Sequence, residues 1–305
     1  MSEKLTPPWA GEIPEGRFIS YAPTYRVGEY FNRFHKDFFE VKDYGNSTVH
    51  NFDRLSYYFY DPTEHGFEKG RKYPLLVFLH GTSNSFEGDV CINYTGAEFY
   101  SKEDYQKTLG GAYILVPIAP EYRGDDGKVH GTWHALDTKL VYSLICEFIN
   151  KYAEKNGGIS KKALFGNSGG GSMTLRMTYD YPSFFNAAIP MGAPEIPEEK
   201  LFDLYDENDV HLLFAIGKRD EINDFDKNVA PLLPRMQRMK HCFIFTPDWV
   251  YNGDHGIASI FFGYEMGQHC IINAMHCNLM FDDGTPMDPK LPGGVTGWLA
   301  EALKD

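Results

Sequence analysis

The stretch Lys162-Ala-Leu-Phe-Gly-Asn-Ser168-Gly-Gly-Gly171 decides the fold of this chain. A short apolar run leads into a glycine-rich pentapeptide, and a helical pattern of apolar residues begins at Met173. Strand, sharp turn and helix, with a serine at the apex, is the layout of a nucleophile elbow. The turn needs small residues two positions before and two positions after the serine, and Gly166 and Gly170 occupy both places. The alternative interpretation is a glycine-rich strand-to-helix turn with an incidental serine.

The composition is typical of a globular protein and excludes some classes of partner. The 305 residues are 43% hydrophobic, 23% charged and 15% aromatic. The formal net charge of −13 argues against nucleic acid and against an anionic membrane surface. No apolar stretch approaches the ~20 residues of a membrane helix. Length and the lack of internal repeats predict one domain, 1–305, with an extended arm at 1–30 and a tail at 282–305.

The N-terminal sequence and the cysteines predict a cytoplasmic protein. Residues 1–9 contain no apolar core of signal-peptide length. The five cysteines are odd in number and scattered along the chain, as expected of buried thiols in a reducing compartment.

Strand-like and helix-like segments alternate along the chain. Continuous apolar runs at 74–79, 112–118 and 211–216 are typical of parallel strands that are buried on both faces. Further strands are predicted at 37–42, 54–61, 186–193, 242–246 and 257–264. Helices are predicted after Ser168 and at 140–152, 229–239, 268–281 and 298–303. A polar connection at 194–209 is predicted to overhang the cleft. This alternation predicts an α/β fold with a mostly parallel central sheet and helices on both faces.

Two backbone N–H groups are candidates for an oxyanion hole. The run 74–79 leads into His80-Gly81-Thr82, and in folds with a nucleophile elbow a donor follows such a His-Gly pair, which makes the N–H of Thr82 the candidate. The second candidate is the N–H of Gly169 at the start of the elbow helix. We expect His80 to brace the loop and to take no part in catalysis.

A serine nucleophile needs a histidine as its base and a carboxylate that orients the histidine. In this kind of fold the chain order is serine, acid, histidine. Asp220 follows the run 211–216 and is the predicted acid for Ser168, with Glu221 as the second choice. The alternative interpretation is that these two acids lie in a solvent-exposed turn and have no catalytic role.

Two histidines are candidates for the base. His255 lies in Asn252-Gly-Asp-His-Gly256, which has the form of a catalytic loop but is also a strong hairpin-turn signal. If the segment is a hairpin, His269 lies beyond the C-terminal end of the last strand, where open α/β sheets bind ligands. This placement favours His269 and leaves His255 as the alternative.

Residue types around His269 also allow a zinc hypothesis. His269, Cys270, His276 and Cys277 lie within a short segment and are all possible zinc ligands. Structural zinc sites usually take their ligands from two segments, and neighbouring residues on a helix point about 100° apart. We therefore predict no metal and no cofactor, and we interpret the cysteines as core residues.

Residues 55–280 resemble α/β-hydrolase esterases of the feruloyl esterase and polyhydroxybutyrate depolymerase-like type. The motifs that carry the resemblance are Tyr73-Pro-Leu-Leu-Val-Phe-Leu-His-Gly81, Gly166-Asn-Ser-Gly-Gly170 followed by 182–192, Gly217-x-x-Asp220 and Tyr264-Glu-Met-Gly-Gln-His269. The resemblance implies an α/β-hydrolase fold and serine esterase chemistry, and it further favours His269 as the base. The group is often secreted, whereas no leader is visible here, and the tail after Phe281 is longer than the group's pattern requires.

The substrate class implied by the resemblance is a small-molecule ester. Feruloyl or other hydroxycinnamoyl, aryl or acetyl esters of plant-derived carbohydrate are the expected substrates, and Trp133, near a strand-end loop, is a candidate contact for an aryl acyl group. A peptidase or acyltransferase with the same three residues is one alternative. A non-catalytic binding protein on the same fold is another.

Overall fold

The computed structural model describes residues 9–20, 28–41, 53–82, 91–92, 95–119, 122–123, 129–130, 133, 138–196, 198–258 and 267–304. The strands are β1 Ile19–Ser20, β2 His35–Glu40, β3 Arg54–Tyr60, β4 Tyr73–Leu79, β5 Tyr113–Pro117, β6 Tyr122–Arg123, β7 Val129–His130, β8 Ile159–Asn167, β9 Ala187–Met191, β10 His211–Ala215, β11 Cys242–Phe245 and β12 Ile257–Ala258. The α-helices are α1 Ala97–Tyr100, α2 Glu103–Leu109, α3 Thr138–Phe148, α4 Gly169–Asp180, α5 Lys200–Glu207, α6 Phe225–Asn228, α7 Leu233–Met236, α8 Ile272–His276 and α9 Gly294–Ala302.

The described part of the chain builds one eight-stranded sheet in the order β11-β10-β9-β8-β4-β5-β3-β2. The six strands from β11 to β5 are parallel, whereas β3 and β2 add an antiparallel edge. The elbow strand β8 lies in the middle, between β4 and β9. The residues at its C-terminal end are therefore flanked by the ends of both neighbours.

Strand β4 shows why the central strands are continuously apolar. Leu76 and Phe78 pack into a cluster on one face of the sheet, and Leu75, Val77 and Leu79 pack into a second cluster on the other face. Side chains alternate between the two faces of a strand, so a strand covered by helices on both sides has no polar position. Helices α8 and α9 contribute to the first cluster, and α3 and α4 contribute to the second. The predicted fold class is confirmed.

The two elbow glycines are required by backbone contacts. A Cβ added at Gly166 would lie 1.9 Å from the carbonyl oxygen of Gly170, within the first turn of α4. A Cβ added at Gly170 would lie 2.1 Å from the carbonyl oxygen of Leu79 at the end of β4. These distances are far below van der Waals contact, and the atoms in the way belong to the backbone, which cannot rotate aside.

We expect Gly170→Ala to lower the free energy of unfolding by about 3 kcal/mol or more, because α4 must move away from β4 to admit the methyl group. Gly297→Ala is the matched control, since Gly297 lies in α9 and a Cβ there meets nothing within 4 Å. The control should gain about 0.5–1 kcal/mol from helix propensity alone. Urea unfolding of both variants measures the difference, and a Gly170→Ala variant as stable as wild type would contradict the close packing.

Three predicted segments differ from the structure for local reasons. The predicted polar connection at 194–209 contains helix α5, because Leu201, Phe202 and Tyr205 share a buried face among the acidic residues. The predicted helix at 268–281 is helical only in α8, and Asn278 and Leu279 adopt left-handed backbone angles that end it. The predicted helix at 229–239 begins with a 3₁₀ turn at Ala230–Leu232 and becomes α-helical only in α7.

The segment around His255 forms the predicted turn but does not lead into the central sheet. The N–H of Asn252 donates to the carbonyl oxygen of Gly256 at 2.9 Å, and Tyr251 pairs with Ile257 in an antiparallel bridge. Strand β12 then pairs in parallel with β1 of the N-terminal arm, outside the eight-stranded sheet. The remainder of the strand predicted at 257–264 lies outside the described residues.

The two terminal segments pack against the body. Trp9 in the arm is 5% exposed and contacts Trp249 edge-on, with 5.5 Å between the ring centroids. In the tail, Val295 and Leu299 of α9 are buried in the same cluster as β4. The single-domain organisation predicted from the sequence remains a prediction. Within the ranges given above, no helix combines the length and apolarity that crossing a bilayer requires.

Candidate active site

Ser168, His269 and Asp220 form one continuous chain of hydrogen bonds. The distance between His269 Nε2 and Ser168 Oγ is 2.9 Å. On the other side of the ring, His269 Nδ1 lies 2.9 Å and 2.8 Å from the two carboxylate oxygens of Asp220. The side chains of His269 and Asp220 are 2% and 0% exposed. Such a chain can pass the hydroxyl proton to the imidazole, which makes the serine oxygen nucleophilic.

Ser168 occupies a strained turn between β8 and α4. Its backbone angles are φ 55° and ψ −119°, in a region that non-glycine residues rarely adopt. Two hydrogen bonds stabilise this backbone conformation. The N–H of Ser168 donates to the carbonyl oxygen of Met191 at 2.8 Å, and the N–H of Ser172 donates to the carbonyl oxygen of Ser168 at 3.1 Å. The side chain is thereby presented to His269 at the C-terminal edge of the sheet.

Asp220 is held by the turn that follows β10. Its Oδ1 accepts hydrogen bonds from the N–H groups of Ile222 and Asn223, at 2.8 Å and 2.9 Å. Asn223 in turn donates through Nδ2 to the carbonyl oxygen of Ala193, which lies just past β9. These bonds fix the plane of the carboxylate. Because a carboxylate oxygen accepts hydrogen bonds and does not donate them, the tautomer of His269 that fits this contact carries its proton on Nδ1.

The structure also places the alternative acid, Glu221, and the backbone of the alternative histidine, His255. Glu221 accepts a hydrogen bond from the backbone N–H of His269 at 2.7 Å, and burial raises its pKa against the opposing effect of its hydrogen bonds. His255 belongs to the 3₁₀ turn Gly253–His255. The histidine that the structure brings to Ser168 is His269.

The two predicted oxyanion donors lie close to the end of β4 and at the start of α4. Gly169 is the first residue of α4 and is buried, and Thr82 is exposed two residues after His80. Gly170 packs directly against the carbonyl groups of Leu79 and His80, so the end of β4 and the start of α4 are in contact. A negatively charged oxygen beside Ser168 would face the positive end of the α4 dipole.

His80 is a buried brace, as its position after β4 predicts. Its ring is fully buried, Nδ1 donates to the carbonyl oxygen of Gly81 at 2.7 Å, and Nε2 accepts from the N–H of Ala119 at 3.0 Å. These two bonds require the neutral ring. Desolvation lowers the pKa of His80 to about 4, although the bond to Gly81 acts in the opposite direction.

We expect acid to destabilise the protein in part through His80. The folded-state pKa lies below the unfolded value near 6.5, so the contribution of His80 is complete above pH 6.5 and is lost as pH falls towards 4. Between pH 7 and pH 5 this loss amounts to about 2 kcal/mol. His80→Gln, which retains an acceptor for Ala119, should show a correspondingly smaller loss in urea unfolding at the two pH values. Equal losses in variant and wild type would contradict this explanation.

Trp133 is not available to a substrate. Its side chain is fully buried in the same cluster as Leu75 and Val77, and its indole N–H donates to the carbonyl oxygen of His80 at 2.8 Å. The expectation that Trp133 lines the site is therefore wrong. The tryptophan supports the loop from below, since a buried indole needs an acceptor and the end of β4 provides one.

The zinc hypothesis receives no support from the described residues, where no three His, Cys, Asp or Glu side chains are grouped as a metal site requires. His276 is buried and lies over the ring of Phe99, with 4.9 Å between the centroids. Burial raises the pKa of the Cys270 thiol to about 12. Both residues contribute to the packing of α8.

Three residues that hold the site have no clear signal in the sequence. The side chain of Gln268 is fully buried and accepts from the N–H of Val250 at 2.8 Å, while its amide donates to the carbonyl oxygen of Ala258 at 2.7 Å. Gly192, in a left-handed conformation, lies against the backbone of His269, whose carbonyl oxygen a Cβ at position 192 would approach to 3.0 Å. Trp9 reaches Glu221 from the arm. These contacts join segments that are distant in sequence, so no local pattern points to them.

The strand order, the strained serine elbow and the placement of the site define an α/β-hydrolase fold. Among solved structures, the chain is similar to a thermostable esterase, with a TM-score of 0.59 and 17% identity over 81% of this chain and 60% of the other. A structure described as FAE gives 0.50 and 12% identity, over 85% and 94%. A ferulic acid esterase gives 0.47 and 16% identity, over 70% and 90%.

The first two of these similarities support the fold and leave the substrate open, because the identities are low. The chain spans only 60% of the length of the thermostable esterase. No protein-family model matches the sequence, and no curated protein matches it.

Proposed function

We propose that this protein is a serine carboxylic ester hydrolase in which Ser168 is the nucleophile, His269 the general base and acid, and Asp220 the orienting carboxylate. The observation that carries the proposal is the hydrogen-bonded chain from Ser168 Oγ through His269 to Asp220. Two of its features favour chemistry over a structural role. The serine is strained, and the imidazole is held at both nitrogens in a nearly buried site.

The proposed reaction has two steps. In the first, Ser168 Oγ attacks the acyl carbon while His269 Nε2 takes its proton, and the tetrahedral intermediate then expels the alcohol, which receives that proton. The first step therefore yields a free alcohol and an acyl ester of Ser168. In the second step, water attacks the acyl group and His269 takes a proton from the water. The bond between the acyl carbon and Ser168 Oγ then breaks, His269 returns the proton to Oγ, and the carboxylic acid leaves.

Asp220 and the oxyanion donors act on charges that exist only during these steps. The carboxylate of Asp220 stabilises the imidazolium and holds its tautomer. The N–H groups of Gly169 and Thr82 are proposed to stabilise the negative oxygen of the tetrahedral intermediate, with about 3–4 kcal/mol per donor in comparable enzymes. The contact between Gly170 and the end of β4 supports this pairing, because it holds both chain segments beside Ser168.

The proposed substrates are small esters of aryl, acetyl, feruloyl or other hydroxycinnamoyl acids, including those of plant-derived carbohydrate. The resemblance of the motifs at 73–81, 166–170 and 264–269 to feruloyl esterases supports this class. No cofactor takes part in the proposed steps. The peptidase and acyltransferase alternatives use the same three residues, so the choice of substrate distinguishes them.

The test is a substrate panel combined with active-site labelling. Wild-type protein should hydrolyse p-nitrophenyl acetate and methyl ferulate faster than a p-nitroanilide peptide or an acyl thioester. A fluorophosphonate should stop turnover and add one mass label to the peptide that contains Ser168. An inert protein that takes no label would overturn the proposal. Faster cleavage of the peptide would favour the peptidase alternative, and faster cleavage of the thioester would favour the acyltransferase alternative.

A further inference from the structure

Adjacent residues of one turn hold the two ends of His269. Asp220 contacts the ring at Nδ1, as described above. Glu221, the next residue, contacts the backbone, because its Oε2 accepts the N–H of His269 at 2.7 Å and its Oε1 accepts the N–H of Gln268 at 3.0 Å. The turn after β10 therefore determines the position of both the imidazole and the Cα that carries it.

The carboxylate of Glu221 has a third donor, which comes from the N-terminal arm. The indole Nε1–H of Trp9 donates to Oε1 at 2.6 Å, across 212 positions of sequence. Trp9 is itself held, since its ring packs edge-on against Trp249 and in one cluster with Ile257. The arm is attached to the body again where β1 pairs with β12.

We propose that Glu221 and Trp9 are positioning residues for His269: the carboxylate, oriented by the indole, sets the backbone at 268–269 so that the imidazole reaches Ser168 and Asp220 at the same time. This inference rests on the proposed esterase function. It assigns the N-terminal arm a part in building the active site, and it replaces the idea that Glu221 substitutes for Asp220 as the acid.

The geometric reason is that His269 must satisfy partners on opposite sides of one rigid ring. Its two nitrogens lie 2.8–2.9 Å from Asp220 and Ser168, so a displacement of the Cα lengthens at least one of these contacts. Rotation of the side chain cannot compensate at both nitrogens. A misplacement of about 1 Å away from the reacting atoms can cost about 100-fold in rate. Two charge-assisted bonds to consecutive N–H groups restrain this displacement more strongly than packing alone.

The experiment compares Glu221→Gln, Trp9→Phe, the double variant and the control Glu12→Gln. Glutamine keeps the shape of Glu221 but places an NH₂ group against N–H donors, and phenylalanine keeps a ring at position 9 without the indole N–H. Glu12 lies on the same arm and pairs with Arg219 at 3.0 Å, one residue before Asp220, in an exposed setting. It therefore controls for loss of a bond between the arm and this turn.

We expect kcat for p-nitrophenyl acetate to fall about 10- to 100-fold in Glu221→Gln and about 3- to 10-fold in Trp9→Phe, with KM within about threefold of wild type. The double variant should match Glu221→Gln within about twofold, because Trp9 acts through Glu221. Glu12→Gln should match wild type. Wild-type kcat in Glu221→Gln, or independent and multiplicative losses in the double variant, would overturn the inference.

Hydrogen–deuterium exchange separates this inference from the esterase proposal. A peptide that spans 267–271 should exchange faster in Glu221→Gln and in Trp9→Phe than in wild type and Glu12→Gln, because two of its N–H groups lose or loosen their acceptor. If wild-type protein hydrolyses no ester, the proposed function fails and the exchange result alone decides the positioning role. Unchanged exchange in both variants would refute that role whatever the activity.

Discussion

Ser168→Ala is expected to lower kcat/KM for p-nitrophenyl acetate by about five orders of magnitude, because no other group can form the acyl-enzyme. The fold should persist. Alanine keeps the strained backbone of the elbow, whose support comes from the carbonyl group of Met191 and from α4 rather than from the hydroxyl. The variant loses one partly exposed hydrogen bond, so its free energy of unfolding should lie within about 1 kcal/mol of wild type. Steady-state kinetics and urea unfolding measure the two quantities.

Ser172→Ala is the matched control for this variant. Ser172 lies one turn further along α4, and its Oγ accepts from the N–H of Glu195 at 3.0 Å. It makes no hydrogen bond to His269 in the described structure, so its loss should leave kcat/KM within about twofold of wild type. Wild-type activity in Ser168→Ala would refute the nucleophile, and equal losses in both serine variants would point to damage of α4 instead.

His269→Ala is expected to cost about four orders of magnitude or more in kcat/KM, because it removes the base and leaves Asp220 without the group that it orients. His255→Ala is the comparison that matters, since His255 is the alternative base left open by the sequence. Its place in the turn Gly253–His255 predicts activity close to wild type. Kinetics on one aryl ester measures both variants, and the reverse result, an inactive His255→Ala beside an active His269→Ala, would exchange the assignment.

The double variant Ser168→Ala/His269→Ala tests whether the two residues act as one catalytic unit. Residues that act as one unit lose most of their effect with the first substitution. The double variant should therefore be about as slow as Ser168→Ala alone. A further loss of several orders of magnitude would mean that His269 acts on the substrate independently of Ser168.

Local features of the chain were predicted well because their causes lie within a few residues. The elbow was predicted from Gly166 and Gly170, and the structure adds the backbone oxygens that exclude a Cβ at each. The parallel strands were predicted from uninterrupted apolar runs. Such runs arise because helices cover both faces of the sheet and bury consecutive side chains. The role of His80 was predicted from its place directly after β4. Its two bonds are made to Gly81 within that loop and to Ala119, two residues beyond β5.

Features that depend on distant segments were missed or assigned wrongly. Trp133 was expected at the site because aromatic residues near strand ends can line a cleft, yet it packs beneath the loop. Helix α5, in contrast, was missed for a local reason, because its apolar face is short and lies among acidic residues. Glu221 was considered as a substitute acid, and its contacts to Trp9 and to the backbone of His269 join segments far apart in sequence.

The residues alone were enough to predict the α/β-hydrolase fold, Ser168 as the candidate nucleophile and the chain order of serine, acid and histidine. These properties depend on local steric requirements and on side-chain periodicity, which can be read along the chain. The three-dimensional arrangement was needed to show that His269 meets Ser168, that Asp220 meets the imidazole ring and that the arm reaches Glu221 through Trp9. Those choices depend on distances between loops that leave different strands, which a linear pattern can rank, as it did for His269 and Asp220, but cannot measure.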